Sequence, residues 1–194
     1  MRGEGAMRYT ATLLAGMALL AGCGEPITTE TTDFLPRAVA NQGLGSEVNQ
    51  QLASLRRVTA AFQDFNVASH AGWETQITPC MTDAGGAGGM GFHYGNTHLI
   101  NGTATVENPQ LLLYEPEKNG RLRLVAVEYI IPYSFHSREA APPVLFGQPF
   151  QQVDPFQVWG LHAWVWKENP SGIFAAWNPN VGCANAPASV SMSH

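Results

Sequence analysis

The stretch from Val158 to Cys183, VWGLHAWVWKENPSGIFAAWNPNVGC, limits the fold more than any other. It carries four of the chain's five tryptophans, a histidine, two Asn-Pro steps and a cysteine. The aromatic and branched residues of 158–166 predict a strand. Val158, Gly160, His162, Trp164 and Trp166 alternate with Trp159, Leu161, Ala163 and Val165. Both sets are largely apolar, so the strand is expected to be covered on two sides. Asn169-Pro170 then reads as the start of a short helix, with Asn as cap and Pro at the first turn, ending before Pro179.

The remaining periodicities supply partners for that strand. From Ser46, the residues Val48, Leu52, Leu55, Val58, Phe62 and Phe65 recur at three- and four-residue steps. This predicts one long amphipathic helix from Ser46 to about Ala71, closed by Gly72. Leu111–Tyr114 and Leu122–Ile131 read as strands joined by Glu115-Pro-Glu-Lys-Asn-Gly, in which Asn119-Gly120 is a hairpin signal. In the second strand Leu122, Leu124, Ala126, Glu128 and Ile130 share one face, while Arg123, Val125, Val127, Tyr129 and Ile131 share the other. With a strand near 91–94, the expected class is α+β: one long N-terminal helix on an antiparallel sheet of four or five strands. Five glycines between 85 and 91 precede His93. They lack the Gly-Lys-Ser/Thr of a phosphate loop and the preceding strand of a dinucleotide fingerprint. They suit a flexible loop, or backbone approached closely by a neighbour or ligand.

The chain has 194 residues, net charge −5 and 13% charged residues. It has no basic patch, which argues against nucleic acid as a partner. Residues 1–22 have the layout of an export signal, with Arg2 and Arg8 ahead of an apolar run too short to span a bilayer. Leu20-Ala21-Gly22-Cys23 resembles the lipobox of bacterial lipoproteins. That resemblance implies a lipidated Cys23 anchored to membrane. The Thr-rich, polar run after it shows no period and reads as a flexible linker over 23–43, and the length that remains suits a single domain over 44–194. Gly24, rather than Asp, implies the outer membrane facing the periplasm. Cys80 and Cys183 then remain; in an oxidising compartment they are expected to form a disulfide, with buried thiols or metal ligation as alternatives.

Further motifs are Gly89-Met-Gly-Phe-His-Tyr94, Leu113-Tyr-Glu-Pro116, Val127-Glu-Tyr129, Leu145-Phe-Gly-Gln148 and the run Leu161 to Gly172 with its Trp-x-Trp-Lys-x-Asn-Pro core. Together they resemble a family of exported bacterial hypothetical proteins, over roughly residues 50 to 183. The resemblance supports the domain limits and implies no activity.

Chemistry is offered by His70, His93, His98, Glu128, His136 and His162. Glu128 stands mid-strand on a face of Leu, Ala and Ile, where a carboxylate must be paired, protonated or bound to a cation. Two imidazoles and one carboxylate form a usable set for a divalent metal such as zinc or copper. The expected set is His93, Glu128 and His162, with His98 or His136 as a further ligand or orienting group. No helical His-Glu-x-x-His pattern exists, so the ligands would come from separate elements. Two other readings stand beside this one: a satisfied polar patch in the core, and a metal-free pocket anchored by His93 and Glu128. Ser134, Ser137 and Ser171 lie in no nucleophile elbow. The functions expected are therefore an envelope lipoprotein binding a metal, small ligand or partner protein, or a metal-dependent enzyme.

Overall fold

The apolar stripe of residues 46–71 builds a broken helix rather than a continuous one. In the computed structural model, which describes residues 45–187, α1 spans Ser46–Thr59, a 3-10 turn spans Ala60–Gln63, and α2 spans Phe65–His70. The break is at Asp64. Its backbone is extended, and its side chain accepts the amide hydrogen bond of Asn66, which starts a new helix. An Asp competing locally for backbone donors favours such a cap over a helix interior. The buried stripe survives the break: Leu52, Leu55 and Thr59 of α1 and Ala68 of α2 face the sheet.

The class is α+β, but the sheet dominates. It has six antiparallel strands, curled as a half-barrel, in the order β1-β2-β3-β4-β8-β7. These are β1 (Thr75–Thr82), β2 (Gly89–Gly95), β3 (Leu111–Pro116), β4 (Leu122–Pro132), β7 (Gln151–Val153) and β8 (Val158–Ala163). The two-residue strands β5 (Val144–Leu145) and β6 (Gln148–Pro149) pair separately. The expected count of four or five strands omitted the two edges. Strand β1 contains Pro79 and is mostly exposed, and β7 is three residues long. Both carry weak strand signals because an edge tolerates Pro and polar side chains. The expected β3–β4 hairpin forms, with Gly120 at φ +78° and Asn119 accepting from the Arg121 amide.

One sheet face packs under the helices. Leu112, Tyr114, Leu124, Val127, Tyr129, Ile131, Trp159 and Leu161 join Leu52 and Leu55 there. The other face carries Leu111, Leu113, Ala126 and Ile130, and is partly covered by Trp164 and Val181 of the C-terminal segment. The simple alternation expected along β4 slips between these faces. A register shift opposite Leu113/Tyr114 sends Leu124 to the helix side and Val125 to the other. This is a β-bulge, and its free Val125 carbonyl accepts from the amides of Trp166 and Lys167. Strand β8 accordingly stops at Ala163, not Trp166. No helix follows Asn169-Pro170 among the described residues. Asn169 accepts from Ser171 and Gly172 within a turn, and Gly172 at φ +116° ends it.

Cys80 and Cys183 form a disulfide, with Cα atoms 5.8 Å apart, inside the usual range for a bridge. It ties edge strand β1 to the C-terminal segment. The same segment closes the glycine loop: Gly89 and Asn178 exchange both backbone hydrogen bonds. A Cβ on Gly88 would fall 2.2 Å from the Asn178 carbonyl oxygen. The close neighbour of these glycines is therefore the chain itself. Residues 1–22, Cys23 and the linker 23–43 lie outside the described residues, as does His194. No helix of the described residues is long and apolar enough to cross a membrane.

Candidate metal centre

Three strands bring one polar cluster to the sheet face opposite the helices. Glu128 of β4 stands directly across from His162 of β8 and from Leu111 of β3. His93 of β2 lies one row away, opposite Leu113. Its side chain reaches past β3 towards Glu128. The three residues are 4%, 7% and 7% exposed for His93, Glu128 and His162. Each offers a ligand atom within 4.8 Å of the other two. His93 Nε2 is 3.5 Å from Glu128 Oε2, and His162 Nε2 is 3.8 Å from the same oxygen.

Those separations are too long for hydrogen bonds and right for a shared ion. Two atoms each bound to a tetrahedral zinc at about 2.1 Å stand roughly 3.4 Å apart. The nitrogen lone pairs are also available. Thr78 of β1, the register partner of His93, holds His93 Nδ1 at 2.7 Å through its hydroxyl. With Nδ1–H donating to Thr78 Oγ1, Nε2 is left as the acceptor facing Glu128, the outer-shell arrangement that orients a metal-binding imidazole. His162 Nε2 is buried and has no hydrogen-bond partner. A buried nitrogen left without a partner is a costly feature that a metal bond would remove. The His162 ring lies nearly parallel to Trp164, with the ring centres 6.2 Å apart.

Electrostatics agree with a site that carries no ion pair of its own. Burial pushes the Glu128 carboxyl up to about 8. Burial, and then the neighbouring His162, pulls His93 down to about 3; burial pulls His162 down to about 4. At pH 7 the cluster is therefore three neutral groups, because contacts of 3.5 and 3.8 Å do not offset desolvation. A divalent cation reverses this balance. It stabilises the carboxylate and uses the imidazoles in the neutral form that burial already favours.

The cluster forms part of the lining of a cleft of about 880 Å³. Gly160, two residues before His162 on β8, keeps room for the carboxylate. A Cβ there would sit 2.9 Å from Glu128 Oε1. Gly160→Ala is expected to push the carboxylate aside and weaken zinc binding roughly tenfold while the fold persists, since misplacing a ligand group acts like losing its support. Zinc titration beside circular dichroism checks this; unchanged affinity would show that zinc binding does not need the room Gly160 leaves beside Glu128 Oε1.

The expected helpers do not take part. His98 is exposed in a 3-10 turn, and His136 Nε2 donates to the Ala141 carbonyl beside Trp159. Both sit on connections whose paths the sequence does not encode locally. His70 is exposed and bonded to the Asn66 carbonyl. Sequence reasoning missed Thr78, whose only signal was a polar residue on a strand that itself went unread. No protein-family model, curated protein or solved structure matches the chain.

Proposed function

We propose that this is an exported, lipid-anchored envelope protein whose domain binds one divalent transition metal through His93, Glu128 and His162. The observation that carries the reading is the meeting of three buried ligand atoms within 4.8 Å, one of them without any other partner. Two imidazoles and a carboxylate suit zinc, and also copper or ferrous iron. The test is equilibrium dialysis against zinc and copper after chelator treatment. One metal per chain is expected. His162→Ala is expected to lose roughly 100-fold or more in affinity, since even outer-shell changes lose 10- to 100-fold. Equal affinity in the variant would leave the cluster as a polar patch in the core.

The anchor belongs to the same proposal. It is supported by Leu-Ala-Gly-Cys23 behind a short apolar run and by the resemblance to exported bacterial proteins. Cys23→Ser is expected to move the protein from the membrane fraction to the soluble fraction and abolish fatty-acid labelling. Labelling that persists would refute lipidation at this residue.

A metal-dependent enzyme is the second reading. Three protein ligands beside a cleft leave a coordination position for water or substrate, as catalytic zinc sites do. The cobalt-substituted protein separates the two readings. A visible spectrum that shifts on adding azide reports an exchangeable position, and an unchanged spectrum reports a closed site.

A further inference from the structure

We propose that the cleft over the His93, Glu128 and His162 centre takes an amphiphile with one anionic, metal-coordinating head and an apolar chain or ring. The inference rests on the metal reading above. It comes from what else lines the cleft. Ile77, Met81, Met90, Ile100, Leu111 and Ile130 form apolar walls. Two of these are methionines, whose flexible side chains accommodate varied apolar shapes. At about 880 Å³ the cleft lies in the size range of sites that enclose a drug-sized molecule.

Charge selects the head group. Among the described lining residues there is no Lys, Arg or Asp, and Glu128 is the one carboxylate. A divalent ion held by Glu128 and two neutral imidazoles leaves a net charge of +1 at the cleft floor. In a low-dielectric site that charge is best balanced by a single anionic donor in the open position. A second anionic group on the ligand would find no cation among the described lining residues. A cationic head would meet the metal's own charge. The walls then reward an apolar body, because each methylene removed from water strengthens binding.

The test uses n-alkyl hydroxamates of two to eight carbons on the zinc-loaded domain, by titration calorimetry, after zinc stoichiometry has been measured separately. Affinity is expected to rise roughly three- to fourfold per added methylene until the cleft is filled. Alkylammonium ions of equal length are expected to bind at least 100-fold more weakly, and octyl hydroxamate to lose at least 100-fold in chelator. Ile77→Asp adds a wall variant that need not disturb folding, because Ile77 is 39% exposed. It is expected to keep zinc affinity and reduce octyl hydroxamate affinity about tenfold. If zinc does not bind, the metal reading fails first. If zinc binds but affinity is flat with chain length, or alkylammonium binds equally, or the chelator changes nothing, the cleft proposal alone is overturned. Octyl hydroxamate binding Ile77→Asp as tightly as wild type overturns it too.

Discussion

Replacing Cys80 and Cys183 together by alanine is expected to lower domain stability by about 3–5 kcal/mol. The bridge spans 103 residues, and for a loop near that length the chain-entropy model gives about 4–5 kcal/mol. Loss of the bridge acts mainly by freeing the unfolded chain, but it also has a local target. Strand β1 is an edge strand, mostly exposed and interrupted by Pro79. Among the described residues no strand pairs with its far side, so the bridge at Cys80 and the pairing with β2 carry that work. The C-terminal segment keeps other ties: Glu115 bonds Lys167 and the Gly182 amide. Because Thr78 on β1 orients His93, the double variant is also expected to bind zinc about tenfold more weakly, the size of an outer-shell effect. Urea unfolding of the two proteins without reductant, with zinc titration alongside, gives both numbers. Matching midpoints would show that the bridge contributes nothing, and matching zinc affinities would detach β1 from the site.

Glu128→Gln is expected to make the metal-free domain more stable at pH 7, by about 3 kcal/mol, while it weakens zinc binding. The folded carboxyl is raised from 4.5 to about 8. Its stability contribution is fully present below pH 4.5 and is lost as pH rises through about 8. Over that window the loss runs at about 1.4 kcal/mol per pH unit. Glutamine has the same shape and no such term, so the gain vanishes near pH 4.5 and grows with pH. The histidines work in the opposite sense. Their folded values are lowered from 6.5 to about 3 and about 4, so their contribution is present above 6.5 and lost as pH falls through those values. Between pH 4.5 and 6.5 two histidine terms oppose one carboxyl term, and stability rises with pH. Above 6.5 the carboxyl acts alone, and stability falls. The cluster therefore gives the metal-free protein an optimum near pH 6.5. Saturating zinc removes the alkaline fall by holding Glu128 ionised. Urea titrations at pH 4.5, 6.5 and 8, with chelator and with zinc, check the sign at each point. A Gln-minus-Glu difference that does not change with pH would mean that Glu128 titrates normally in the fold.

The candidate site was partly legible because alternation along a strand is a local property. Glu128 shares a face with Ala126 and Ile130, and His162 with Val158 and Gly160, and the structure keeps both relations. What joined those residues to His93 was not local. His93 sits two strands from Glu128 and one row off, and the distance between them depends on the curl of the whole sheet. The same limit applied to the helix. Its apolar period continues through residue 65, while the break depends on whether the Asp64 side chain caps Asn66 or faces water.

The sequence by itself determined the apolar periods, and with them the mixed class, the β3–β4 hairpin and the inward face of α1. It also singled out Glu128 as a carboxylate that needed a partner, and Cys80 with Cys183 as a pair. These follow from side-chain spacing and chemistry that act over a few residues. Tertiary structure decided the edge strands, the bulge at Val125, the closing of the glycine loop by Asn178, the contact of Thr78 with His93 Nδ1 and the exclusion of His98 and His136 from the centre. Each of those depends on which distant backbone groups are left needing hydrogen bonds once the sheet has paired, and on which surfaces remain to be covered. No local pattern records that balance, because it exists only after the chain has closed on itself.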